Sequence, residues 1–142
     1  MHLETRSNDA LCRDLRSDGM RLNTEMNMLY ARHRSAESQR NALDRQLVTL
    51  RGDLAEVARD ITQLARPSRP TMRPGIFGVV PGGIQLLHLK NQENSLKSQI
   101  AAVSAQRLTA IRAMNDFMSE ITRKEREQAD IGTRRAALGC GD

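Results

Sequence analysis

Apolar residues recur at alternating spacings of three and four residues from Cys12 to Leu64. Thirteen of the 16 positions in this series are apolar, and the part from Leu43 onward has no exception. A 3.5-residue repeat held over this many turns is typical of a coiled coil, because it keeps one narrow stripe of a helix facing a partner. The pattern predicts a first long helix with the seam Cys12, Leu15, Gly19, Leu22, Met26, Leu29, His33, Ala36, Arg40, Leu43, Leu47, Leu50, Leu54, Val57, Ile61 and Leu64.

A second series with the same spacing begins at Leu86 and weakens after Ile121. Ten of its 14 positions are apolar. The segment between the two series contains all four prolines and four of the nine glycines. Proline lacks an amide donor and keeps the preceding residue from helical angles, so we expect no helix to cross this segment. The second seam is Leu86, Leu89, Glu93, Leu96, Ile100, Val103, Arg107, Ala110, Met114, Phe117, Ile121, Lys124, Gln128 and Ile131.

Two long helices around one Pro/Gly-rich break predict an all-α fold, a long antiparallel helical hairpin that forms a two-stranded coiled coil. Pairing Leu64 with Leu86 sets the register, and this register places Arg107 opposite Leu43. The alternative is a straight parallel dimer, which would stack Arg40 and Arg107 each on its own copy. Like charges would then meet at the seam, and this disfavours the parallel arrangement.

The predicted domains follow these breaks. Gly19 lies inside the first helix, where a glycine costs about 1 kcal/mol relative to alanine, so we expect the chain before it to be frayed or kinked. The predicted parts are a frayed or kinked N-terminal helical segment at 1–19, a first coiled-coil helix at 20–65, a Pro/Gly-rich basic loop at 66–83, a second coiled-coil helix at 84–138 and a flexible tail at 139–142.

Composition narrows the class of protein. The 142 residues include no tryptophan, one tyrosine and two phenylalanines, so the large side chains that dominate most cores are nearly missing. Hydrophobic residues make up 39% and charged residues 27%, which favours helices with a narrow apolar seam over a globular α/β enzyme. No run of 18 apolar residues occurs, so we expect no membrane span.

The net charge of +5 is concentrated in the middle of the sequence. Residues 1–60 balance to zero, residues 61–115 carry +6 and residues 116–142 carry −1. In a hairpin the positive part is the loop and the adjoining half of the second helix, which predicts an acidic protein partner; alternatively, these bases form only a solvated helix face. We do not expect a nucleic-acid partner, because the loop offers one aromatic side chain for stacking and no recognised nucleic-acid-binding motif is present.

The loop combines arginines with an apolar segment, Gly75 to Pro81, in an otherwise polar chain. One interpretation is a docking element that inserts into a partner or adds a strand to a sheet edge. The other is that its apolar side chains fold back over the end of the hairpin, since an exposed phenylalanine is unfavourable. The candidate partner-binding residues of the loop are Arg66, Arg69, Arg73, Ile76 and Phe77.

A further apolar stripe lies beside the seam of the second helix. Its members, Ala101, Leu108, Ile111 and Met118, share one flank of that helix. A two-helix hairpin buries one seam per helix, so we predict that Leu108, Ile111 and Met118 dock a helix from a partner or a second copy, giving a homodimer through the second helix. The alternative is a set of scattered surface apolar residues, which are common.

No combination of residues points to catalysis, a cofactor or a metal. The three histidines, His2, His33 and His88, are too far apart in sequence for a metal-binding motif. The sequence has no phosphate-binding loop and no nucleophile elbow, and a coiled coil offers no concave pocket. We therefore expect a non-catalytic protein with no cofactor and no metal site.

The two cysteines, Cys12 and Cys140, are expected to be free thiols. The register places both at the open end of the hairpin, where they come within reach of each other. Two cysteines do not make a disulfide framework, however, and a reducing compartment is the default. Oxidation of the pair within one chain is expected in air, and the expected localisation is cytoplasmic, with the cytoskeleton as a candidate location.

Together these features predict a structural or adaptor coiled-coil protein, or a fragment of one, in a large intracellular assembly, cytoskeletal or ciliary. Its partners would dock on the basic apolar loop and on the lateral stripe of the second helix. In length and heptad pattern the chain also resembles the α-helical hairpin stalks of type III secretion and flagellar export ATPases, which gives the alternative function. Those stalks insert their helix termini into an ATPase ring, whereas here charge and apolar residues gather at the loop.

Overall fold

The computed structural model describes residues 2–66 and 83–141 of the chain. These residues form two long helices, α1 (His2–Ala65) and α2 (Gly83–Ala137), which pack against each other. The predicted all-α helical hairpin is confirmed. Within the described residues, neither helix is long and apolar enough to cross a membrane.

The helix boundaries follow the Pro/Gly-rich break. α1 ends at Ala65, and α2 begins at Gly83, directly after the last proline and the first of two adjacent glycines. Of the predicted loop at 66–83, the structure describes only its first and last residues. Residues from His2 through Gly19 are part of α1, and fraying or a kink in the segment 1–19 stays a prediction. Gly19 lies against Ile131 of α2, so tertiary contact supports the helix at this residue.

The described chain divides into two compact units. The first unit comprises Met1–Gln39 and Ala110–Asp142, and the second unit comprises Arg40–Thr109. Both contain a stretch of α1 and a stretch of α2. Every buried apolar side chain of the described residues is a predicted seam position, because a two-helix arrangement removes only one narrow stripe of each helix from water.

The core of the second unit is aliphatic. Its buried residues are Leu43, Leu47, Leu50 and Val57 on α1, with Leu96 and Val103 on α2. Four partly buried residues extend this cluster: Leu54, Ile61, Leu89 and Ile100. Beside it, the guanidinium of Arg107 donates a hydrogen bond to the carboxylate of Asp44 on the other helix. The sequence placed Arg107 opposite Leu43, so this ion pair agrees with the antiparallel register to within one residue.

The core of the first unit is smaller. Met26 and Leu29 on α1 contact Ile121 on α2, which is 1% exposed, and Phe117 packs against this cluster. Lys124 occupies a seam position of α2 and donates a hydrogen bond to Glu25, with 2.7 Å between Nζ and Oε2. The lysine stem thus lies in the seam while its charged end reaches a carboxylate at the edge.

A disulfide between Cys12 and Cys140 closes the first unit. The expectation of two free thiols is therefore wrong for this structure. The antiparallel register correctly placed the two cysteines near each other, and their Cα atoms are 5.7 Å apart. The error came from the assumption of a reducing compartment, which the order of residues in the chain does not determine.

We predict that Leu50→Ala lowers the free energy of unfolding by about 2–4 kcal/mol, because it leaves a cavity in the best-packed part of the seam. Leu50 is buried among the aliphatic residues of the second unit. Urea denaturation followed by circular dichroism measures the change. Val48→Ala is the matched control, since Val48 lies two residues away and is 70% exposed. An equal loss in both variants would contradict the assigned seam.

We predict that Gly19→Ala stabilises the protein by about 0.5–1 kcal/mol, because alanine restricts the unfolded chain and favours the helix. A Cβ at this position would lie 3.8 Å from Cγ2 of Ile131, an ordinary van der Waals contact. Gly52→Ala is the control, because no atom lies within 4 Å of its added Cβ. Thermal melts of both variants test the prediction, and a lower melting temperature for Gly19→Ala would mean that the helices approach more closely there.

Candidate functional site

Exposed apolar side chains gather where the described parts of the second unit meet the Pro/Gly-rich break. On α1, Leu64 is 38% exposed although it is a seam position. On α2, Ile84 is 82% exposed and Leu87 is 62% exposed. We call these three residues the loop-end patch. Their exposure is unfavourable in water unless another group covers them.

An open cleft of about 570 Å³ lies between the two helices beside this patch. Leucine and isoleucine side chains supply its apolar lining, and amides, one carboxylate and one imidazole supply the polar rim. The lining residues are Asp60, Gln63, Leu64, Ile84, Gln85, His88 and Leu89. The cleft thus combines an apolar lining with a polar rim.

Arg66 is the one candidate partner-binding residue of the loop that the structure describes. Its side chain is exposed, and its backbone N–H donates to the carbonyl of Gln63 at 3.3 Å, which ends α1 in a tight turn. Arg66 follows Leu64 of the loop-end patch by two positions in the chain. The other loop candidates, Arg69, Arg73, Ile76 and Phe77, lie outside the described residues, so their part in a site stays a prediction.

The residues predicted for the lateral stripe differ in exposure. Leu108, in the second unit, is 47% exposed. In the first unit, Ile111 is half-buried and Met118 is 43% exposed. Met118 borders an open groove along α2 whose other lining residues are Asn115, Ser119, Thr122, Arg123 and Arg126. Each unit therefore presents apolar surface on α2, and a single continuous stripe stays a prediction.

The sequence did not predict Ile84 as a site residue, although it is the most exposed large apolar residue described. It precedes the first seam position of α2 and does not belong to the heptad series. The signal in the sequence was an isoleucine that lies in the first turn after the break between the helices but outside the seam. Periodicity alone does not reveal such a residue, because its role depends on which side chains cover the end of the helix pair.

Polar contacts in the first unit join the two helices. The ammonium of Lys124, which donates a hydrogen bond to Glu25, lowers the pKa of that carboxyl group below its usual 4.5. The hydroxyl of Tyr30 donates to Oε1 of Glu125 at 2.9 Å, and this bond raises the pKa of Tyr30 above 10.0. Each bond joins α1 to α2. Both shifts favour the charge states that already prevail near neutral pH.

Among residues 2–66 and 83–141, no group of three or more histidine, cysteine, aspartate or glutamate side chains is placed to hold a metal ion. The described residues thus form a two-helix hairpin with exposed apolar patches and cross-helix ion pairs. Comparison with models of protein families, with curated proteins and with solved structures gave no match to this chain.

We predict that Lys124→Met raises the pKa of Glu25 back towards 4.5, because the substitution removes the cation that stabilises the carboxylate. A carboxyl group with a lowered folded-state pKa stabilises the fold above its unfolded pKa, and this contribution is lost as the pH falls through the folded pKa. Between about pH 5 and pH 3, wild type should therefore lose more stability than the variant.

NMR titration of the Glu25 side chain measures this pKa directly. Lys90→Met serves as the control, since Lys90 belongs to the second unit and makes no contact with Glu25. The same Glu25 titration curve in wild type and Lys124→Met would show that the 2.7 Å hydrogen bond does not form in solution.

Proposed function

We propose that this chain is a non-catalytic structural or adaptor coiled coil of a large intracellular assembly, cytoskeletal or ciliary. Its helices would position partners, and its exposed surfaces would bind them. The observation that supports this most directly is the loop-end patch, with Ile84 at 82% and Leu87 at 62% exposure next to Arg66. Buried seam residues do not serve this purpose, because they already contact the other helix.

Cationic groups near the loop-end patch favour an acidic partner. Arg66 is exposed directly after the end of α1, and Lys90 is exposed on α2. Farther along α2, Lys97 is paired with Glu93 at 3.6 Å, yet the lysine side chain is still 61% exposed. Positive charge of this kind speeds encounter with an acidic surface, while apolar contacts supply the affinity once the surfaces meet. Acidic segments that carry a few apolar residues are the class of partner that fits both features.

A second contact is proposed for α2. Leu108 and Met118 are each close to half exposed, and leucine and methionine adapt readily to a helix packed against them. This exposure supports docking of a partner helix or of a second copy through α2. The two surfaces would let one chain hold two neighbours at once, which is the mechanical task of an adaptor.

The two cysteines bear on the proposed intracellular setting. Its basis in the sequence was a pair of free thiols, whereas the structure joins Cys12 to Cys140. The alternative function, a stalk of an export ATPase, requires free helix termini that enter a ring. A bond between the N-terminal part of α1 and the residues after the end of α2 does not favour that use, and the exposed apolar residues of the second unit favour the adaptor.

We predict that reversing Arg66, Arg69 and Arg73 to glutamate weakens binding of a glutamate-rich peptide at least about tenfold at physiological ionic strength, because three attractive charges become repulsive. Fluorescence anisotropy with a labelled peptide that carries two leucines measures the affinity. Circular dichroism should show unchanged helix content, since Arg66 lies after the last residue of α1.

The matched control reverses Arg13, Arg32 and Arg34, three exposed arginines of α1 in the first unit, and changes the net charge by the same amount. Equal weakening in both triple variants would mean that only total charge matters. Full binding by the loop variant would overturn docking at the loop and leave the α2 surface as the candidate. Ile84→Gln tests the apolar contribution separately and should lower affinity without lowering stability, because Ile84 is almost fully exposed.

A further inference from the structure

The Cys12–Cys140 bond joins residues that are 128 positions apart in the chain. Cys12 lies on the seam of α1, and Cys140 follows the end of α2 by three residues. Their Cα separation of 5.7 Å falls within the range of about 4.4–6.8 Å that disulfides require. Because α-helices are stiff, this distance depends on the backbone conformation of the residues that follow α2.

A specific turn directs Cys140 back towards α1. Gly139 adopts a left-handed conformation with φ of 69°. The N–H of Cys140 then donates to the carbonyl of Arg135 at 2.9 Å, and the N–H of Gly139 donates to that of Ala136 at 3.1 Å. These two bonds define a Schellman motif, in which glycine is favoured because other residues are strained at positive φ.

A side chain holds the same turn from the other direction. Nη2 of Arg135 donates to the carbonyl of Gly141 at 3.1 Å. The turn and this bond contact the backbone on both sides of the cysteine. The turn therefore positions Cys140 close to Cys12.

Noncovalent packing near the bond is weak. In the first unit the buried apolar residues lie between Leu22 and Ala36 on α1 and between Ala110 and Ile121 on α2. Neither 8–21 nor 122–141 contributes a buried apolar side chain. Leu15 and Ile131 are only half-buried, and Gly19 has no side chain to pack. This part of the helix pair has little apolar burial to hold it closed.

We propose that Cys12 and Cys140 form a redox-operated clamp on the first unit, set by the Gly139 turn. In the closed state the disulfide holds the beginning of α1 against the end of α2. In the open state these segments separate locally, while the aliphatic core of the second unit stays folded. This inference does not depend on the proposed adaptor role.

Closure proceeds by thiol–disulfide exchange. The thiolate of one cysteine attacks a disulfide oxidant such as glutathione disulfide, and one thiolate leaves. The second cysteine then attacks the mixed disulfide and expels the other thiolate. The chain loses two protons and two electrons, and the oxidant takes up both electrons as two thiols. Both cysteines are half-buried rather than buried, so small thiols reach the bond.

Hydrogen exchange in oxidised and reduced glutathione buffers tests the clamp. On reduction, amides of residues 13–21 and 122–138 should exchange at least about tenfold faster, and those of 43–57 should keep their rates. The melting temperature should fall by about 10 °C, since the cross-link no longer restricts the unfolded chain. The double variant Cys12→Ser, Cys140→Ser should match the reduced wild type in both buffers.

Gly139→Ala tests the turn against Gly141→Ala. Alanine at φ of 69° is strained, so the first variant should shift the equilibrium with glutathione about tenfold towards the dithiol. Gly141 has no such conformation and no atom within 4 Å of an added Cβ, so its variant should match wild type. Equal equilibria for the two variants would overturn the role of the turn. Unchanged exchange on reduction, or dimers linked between chains in place of the internal bond, would overturn the clamp.

Discussion

The structure depends on a stripe of apolar side chains only one residue wide on each helix. The chain has almost no aromatic residues with which to build a broader core, and every buried apolar side chain described belongs to the alternating three- and four-residue series. Each seam residue must therefore face the other helix, because no second layer can compensate for one that turns away. Helix length, register and the positions of the ion pairs all follow from this requirement.

The two units meet this requirement with different chemistry. In the second unit, leucine and valine supply a continuous aliphatic cluster. In the first unit, Met26, Leu29 and a single fully buried isoleucine, Ile121, form a smaller one. Contacts of other kinds accompany the smaller core, namely the Lys124–Glu25 ion pair, the Tyr30–Glu125 hydrogen bond and a disulfide. Exposed ion pairs add little to stability by themselves, so their main effect here is to favour one register over its neighbours.

The sequence was informative where structure depends on local periodicity. The seam from Leu43 to Val57 was predicted residue by residue, and the antiparallel register placed Cys12 near Cys140, because both follow from counting along two regular helices. The sequence was uninformative where one side chain decides among several neighbours. The register gave Arg107 a leucine to lie along, while the carboxylate it bonds belongs to the next residue, Asp44. The sequence also did not predict the exposure of Ile84 or the positive φ of Gly139, because both depend on the surroundings of a helix end.

The narrow width of the seam also determines which substitutions the chain tolerates. Among the described residues, a dozen buried apolar positions bear the packing, and most others have a side chain in water on at least one side. Substitutions that preserve helix propensity are then tolerated at most sites, while harmful ones recur every three or four codons. Tolerance to substitution would then be low at the seam positions and high between them. Related sequences would diverge quickly in residue identity while keeping the three- and four-residue spacing of the seam.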